Sequence, residues 1–236
     1  MGVFDSLLGR TKPVRPNLDA LFALPSAAVT LQVTEGVVLS GHAGICWKPP
    51  AGQSATDVQQ EIADLLAIPD DPTSTASANT DAPASTAPAT GTVTQAEDTY
   101  GYRWLLLDDP DTETLVTRVH LVNTSLTENG WGPQLLCSVF GLTPGPGASL
   151  TGPSASLTPG PGAKTEPGVA PAPGVETQPL YLVYLYKRGT FYPFAPDGHE
   201  HRDSELELRI RAIVANDLPI EQDLQRWFPL WDLPVI

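Results

Sequence analysis

The residues best suited to chemistry sit in one short run, His199, Glu200 and His201. Imidazoles beside a carboxylate could ligate a metal or move a proton. Zinc, however, needs three or four ligands in fixed geometry. No second pair lies at suitable spacing, and His42 and His120 are distant in sequence and unpaired. The run therefore reads as solvated loop residues, with a metal-dependent enzyme as the rival interpretation. Nucleophilic catalysis has less support. Cys46 and Cys137 are the two cysteines, neither in a C-x-x-C pair nor in a motif that would lower its pKa, and no G-x-S-x-G elbow occurs. They read as reduced, buried thiols. Neither G-x-x-x-x-G-K-S/T nor G-x-G-x-x-G is present, so no nucleotide site is signalled. No catalytic, cofactor-binding or metal-binding residue is assigned, and the chain is expected not to be an enzyme.

Two other runs suit contact rather than catalysis. Residues 187–194 are the densest basic and aromatic stretch, and Lys187, Arg188, Phe191 and Tyr192 are candidate partner-binding anchors. The plain alternative is a hairpin with alternate aromatics in the core. At the N-terminus, Val3, Phe4, Leu7 and Leu8 form one apolar helical stripe, followed by Arg10, Lys12 and Arg15. Phe4, Leu7, Leu8 and the three bases are candidate membrane contacts, each base adding roughly 1 kcal/mol near anionic lipid. A helix this short is marginal alone, so docking on the domain or on a partner is the competing expectation. Near the other terminus, Trp227 and Trp231 are expected to clamp the last segment onto the core.

The elements that must position these residues are interrupted twice. Residues 69–99 and 143–179 are built mainly from Pro, Ala, Ser, Thr, Asp and Gly, and the string Leu-Thr-Pro-Gly-Pro-Gly-Ala occurs at 142–148 and again at 157–163. Such segments bury too little apolar surface to offset the entropy of ordering, so both are expected to be disordered insertions. They also carry seven acids against Lys164, so the net charge of −14 becomes −8 for the rest. That balance opposes general nucleic-acid binding. No apolar stretch reaches the ~18 residues a membrane helix needs. Asp5 and Gly9-Arg10 break any signal-like run. A cytoplasmic protein is expected, with peripheral contact at the inner membrane face through residues 1–16.

Periodicity places a short helix at Leu18–Leu24, capped by Asn17 and stopped by Pro25, then strands at Ala27–Val33 and Ile45–Lys48 with bends at Gly36 and Gly41. Ser54 and Asp57 open a helix to about Ala67. Tyr100–Leu107 reads as a strand. A helix follows from Asp111 or Thr112 to Asn129, with Leu115, Val119, Val122 and Leu126 on its buried stripe. Gln134–Leu142 and Leu180–Lys187 flank the second insertion as hairpin arms, and Thr190–Phe194 is a further strand. Ser204 with Glu207 suggests a capping box opening a helix that buries Leu206, Ile210, Ile213 and Val214. The sum is an α+β fold: one domain with a mostly antiparallel sheet, helices packed on one face, and two disordered insertions. Its pieces are 17–68, 100–142 and 180–236.

Several strings are too long to be compositional. They are Met-Gly-Val-Phe-Asp-Ser-Leu-Leu-Gly-Arg-Thr-Lys-Pro-Val (1–14), Asn-Leu-Asp-Ala-Leu-Phe-Ala-Leu-Pro-Ser-Ala-Ala (17–28) and Gly-Pro-Gln-Leu-Leu-Cys-Ser-Val-Phe (132–140). The others are Leu-Val-Tyr-Leu-Tyr-Lys-Arg-Gly-Thr-Phe-Tyr-Pro-Phe-Ala-Pro (182–196) and Arg-Trp-Phe-Pro-Leu-Trp (226–231). Together they resemble the PspA-associated protein PspAB family, found beside phage-shock protein A in actinobacteria and some archaea. The resemblance covers nearly all the structured residues in order, with longer connections here at both insertions. It implies an accessory role in the envelope stress response built around PspA, with PspA or its operon-encoded partners as binding partners. It transfers no catalytic residue and no cofactor.

Overall fold

Residues 16–48, 93–145, 178–198 and 200–235 are described by the computed structural model. The expected helix 54–67, most of both insertions, His199, and the candidate membrane residues Phe4, Leu7, Leu8, Arg10, Lys12 and Arg15 lie outside them.

A 3-10 turn, Leu18–Ala23, runs directly into helix α1, Leu24–Glu35. Asn17 sits at the start of the turn, where it makes no side-chain cap; its carbonyl accepts from the Ala20 N–H at 3.1 Å. Pro25 therefore does not stop a helix, and Ala27–Val33 is not a strand. Proline in a first turn sacrifices no hydrogen bond, because that N–H has no helical partner anyway. The buried residues Leu24, Ala27 and Leu31 follow helical spacing. In so apolar a stretch an alternating pattern can be drawn as well, and that pattern misleads. Gly36 ends α1 in the left-handed region at φ 66°, its N–H reaching the Gln32 carbonyl at 3.1 Å.

Strand β1, Val37–Trp47, is longer than the expected Ile45–Lys48. Its register against the neighbouring strand shifts between Leu39 and Ala43, around Gly41 at φ 85°. This is a bulge rather than a bend between two strands. Next come β2, Thr94–Glu97; β3, Arg103–Asp108; and helix α2, Thr112–Glu128. Strand β2 corrects the sequence reading, which places Thr94–Glu97 inside the first insertion; these residues pair with Arg103–Leu106. Asp111 caps α2 by accepting from the Thr114 N–H at 2.8 Å, and all four residues of the expected stripe are buried. Strands β4, Leu135–Pro144, and β5, Leu180–Leu185, pair antiparallel up to Leu142 opposite Leu180, as expected of hairpin arms. Strand β6, Thr190–Phe194, follows, then the two-stranded ribbon of β7, Pro196–Gly198, and β8, His201–Arg202. Helix α3, Ser204–Val214, is capped by Asp203, not Ser204. Asp203 accepts from the Leu206 N–H at 2.9 Å, while Glu207 turns to the Ala195 N–H and Arg202, both at 2.9 Å.

The six strands form one antiparallel sheet in the order β2-β3-β1-β4-β5-β6. This is an α+β single domain with helices on one face. Strand alternation puts Ile45, Leu105, Ser138, Tyr184 and Phe191 on the helical side and Cys46, Trp104, Cys137, Leu185 and Tyr192 on the other. On the helical side Asn123 of α2 donates to the Ser138 hydroxyl at 3.1 Å, and the Tyr184 hydroxyl donates to the Asn17 carbonyl at 2.8 Å. Helix α3 packs against α1 and β6. The opposite face is covered by the C-terminal segment. Trp227 stacks on Tyr192 at 5.8 Å, Trp231 tilts against Phe194 at 5.5 Å, and Val235 lies over Gly44. A Cβ at Gly44 would stand 2.5 Å from the Val235 methyl, so only glycine admits this close approach.

Candidate binding cavity

The C-terminal segment does not seal its face of the sheet. Between them lies a cavity of about 580 Å³. Its floor is Cys46, Trp104, Cys137, Leu185 and Tyr192, and its roof is Phe228, Pro229, Leu230 and Trp231. Asp98, Tyr100 and Tyr102 close one side from the β2–β3 turn, and Lys187 and Arg188 stand on another from the β5–β6 turn.

Asp98, Tyr192 and the two thiols of the lining each have a structural partner. Asp98 accepts from the Tyr100 N–H at 3.0 Å, the Tyr102 N–H at 2.9 Å and the Trp104 indole N–H at 2.9 Å. One carboxylate thus shapes the turn and fixes a floor ring. Sequence reading misses Asp98, placing it in the insertion. The signal that could have found it is Asp-Thr-Tyr-Gly, an Asx-type turn with Gly101 at φ 80°. The Tyr192 hydroxyl donates to the Phe228 carbonyl at 2.8 Å, tying roof to floor. Burial pushes that hydroxyl's pKa well up, so it stays protonated. Cys46 and Cys137 face each other across β1 and β4, both free and buried. The hydrogen bond to Cys137, burial and nearby negative charge push the Cys46 thiol up. It stays a neutral thiol, the opposite of an activated nucleophile.

The β5–β6 turn divides the four anchors expected there. Lys187 is exposed beside the cavity. Arg188 pairs through Nε with a carboxylate oxygen of Glu221, which also accepts from the Thr190 hydroxyl at 3.1 Å. Burial pushes Glu221 up, but the Asp223 N–H, Arg188 and Thr190 outweigh it and leave it below its ordinary value. Tyr192 is enclosed in the cavity floor, and Phe191 points to the helical side, fully buried against Tyr184 at 5.1 Å. Phe191 therefore offers no surface to a partner, because a strand turns successive side chains to opposite faces. Trp227 is buried as expected, Trp231 half-buried and Phe228 exposed.

The histidines are dispersed. His42 contacts Asp108 at 2.6 Å, and His120 lies 3.6 Å from Asp19 with its ring against Phe22. Glu200 accepts from the Tyr100 hydroxyl at 3.3 Å, and His201 is exposed in β8. Among the described residues no three metal-ligating side chains gather, and no helix is long and apolar enough to cross a membrane.

Compared with known proteins, residues 1–235 match the family model PspAB, PspA associated protein B. No curated protein and no solved structure matches.

Proposed function

The chain belongs to the PspAB family, PspA associated protein B, and from that premise we propose that it is a non-enzymatic accessory protein of the PspA-type envelope stress response. It acts by direct contact with PspA or its operon-encoded partners. The observation that carries a docking surface is the outer face of α1. No charged residue occurs from Ala20 to Thr34. Within that stretch Phe22 is 50% exposed, Val29 61% and Val33 80%, with exposed Ser26 between them. Phe22 stands on the 3-10 turn that leads in, and Ser26, Val29 and Val33, three and four residues apart, share one edge of α1. A surface helix normally turns a charged face to water. An amphipathic helix laid along this edge would bury the apolar side chains, each contributing up to about 1.5–3 kcal/mol.

The test is capture from native cells with the full chain as bait. Folded wild-type protein should retain PspA or an operon partner. Repeated failure to do so would sink the accessory reading. Val29→Glu with Val33→Glu should leave the melting temperature nearly unchanged, since both side chains are exposed, and reduce capture at least tenfold. Equal capture by that variant would reject the α1 edge and move the contact to Lys187 and Arg188.

A further inference from the structure

We propose that the cavity under the C-terminal segment binds a single long hydrocarbon chain that ends in an anionic group, in the manner of a long-chain carboxylate or a lysophospholipid. This goes beyond association with PspA and concerns the chain alone.

The interior selects the tail. Its volume, about 580 Å³, falls inside the roughly 300–1,000 Å³ of small-molecule sites. The polar atoms of its floor are already spent. The Trp104 indole N–H is on Asp98, the Tyr192 hydroxyl is on the Phe228 carbonyl, and Cys46 faces Cys137 across the β1–β4 pair, a weakly polar thiol beside another. The cavity therefore presents ring faces, leucine methyls and sulfur. A nucleobase, sugar or flavin would bring in donors and acceptors that find no partner, which disfavours it strongly. A hydrocarbon chain has no such need.

The side of the cavity selects the head group. Asp98, on the β2–β3 side, keeps its negative charge but has its acceptor capacity taken by three N–H donors. Arg188 is held by Glu221. Lys187 is exposed and makes no hydrogen bond, ion pair or ring contact among the described residues. On the β5–β6 side of the cavity, away from Asp98 and Tyr100, the cation left without an ion pair among the described residues is thus the Lys187 ammonium, on a chain whose net charge is −14. An anion is stabilised at that ammonium and repelled by the acidic surface elsewhere.

The experiment titrates the purified full-length chain with 9,10-dibromostearate and reads tryptophan fluorescence, because bromine quenches indoles it touches and Trp104 and Trp231 line the cavity. Quenching should saturate below the concentration at which the acid forms micelles. The methyl ester of the same acid should bind at least tenfold more weakly. Lys187→Glu should weaken the acid at least tenfold and leave the ester unchanged. A brominated lysophosphatidylglycerol arm distinguishes the source of the anion: tighter binding than the acid assigns a phosphate head, weaker binding a free carboxylate. Quenching that fails to saturate, or equal binding of acid and ester with no loss on Lys187→Glu, would overturn the proposal.

Discussion

Glu207 and Glu221 are both 3% exposed, yet their surroundings act on them in opposite directions. For Glu207, burial is the largest influence, and Arg202 with the Ala195 N–H does not fully offset it, so its pKa is raised above the ordinary 4.5. For Glu221, burial is outweighed by the Asp223 N–H, Arg188 and Thr190, and its pKa falls below 4.5. A depressed carboxyl contributes stability that is present above the unfolded value and lost as pH falls through the folded one. A raised carboxyl does the reverse, weakening the fold as pH rises from the unfolded value through the folded one. Urea unfolding between about pH 7 and pH 3.5 should therefore separate the two. At neutral pH, Glu221→Gln should cost about 1–2 kcal/mol, because Arg188 and Arg226 remain partly solvated. That gap to wild type should close as pH falls. With Glu207→Gln, the wild type's relative stability should instead rise as pH falls. Parallel curves for the two variants would contradict these assignments.

Helix ends show how local signals compete. Asp111 was legible because Asp, Thr and a following helical stripe agree, and its carboxylate is held below its usual range by the Thr114 hydroxyl and N–H. At α3 the capping-box pattern Ser204 to Glu207 is present in sequence, but Asp203 stands one residue earlier and Glu207 is drawn to β6. A local motif loses to a tertiary partner there. The consequence is measurable: Asp203→Ala should cost about 1 kcal/mol, while Ser204→Ala should stay within about 0.5 kcal/mol. Differential scanning calorimetry resolves the two, since 1 kcal/mol moves the melting temperature by roughly 2–4 °C at this size. The misreading of α1 has another cause. Where nearly every residue is apolar, neither the 2-residue nor the 3.6-residue period stands out. The same uniformity leaves Val29 and Val33 exposed.

The two insertion sites fall where the sheet can tolerate them. Strands β4 and β5 meet at Leu142 and Leu180, on either side of the second insertion, and β2 resumes at Thr94 after the first. Loop-closure cost grows only as the logarithm of length. Replacing 72–92 and 145–175 with short Gly-Ser turns should thus leave the circular dichroism unchanged and the melting temperature within a few degrees. Loss of soluble protein would show that those residues do structural work. The antiparallel α+β class, the hairpin arms, α2 with its buried stripe and the clamping Trp227 were legible in the chain, because each rests on a period or a cap within a few residues. The family was legible too, from long strings that composition cannot produce. Only the tertiary structure set Cys46 opposite Cys137, turned Phe191 away from Tyr192's cavity and bound Arg188 to Glu221. Each of those depends on contacts between residues tens of positions apart or on strand register. No local pattern carries that information, because register and packing are chosen by the free energy of the assembled core.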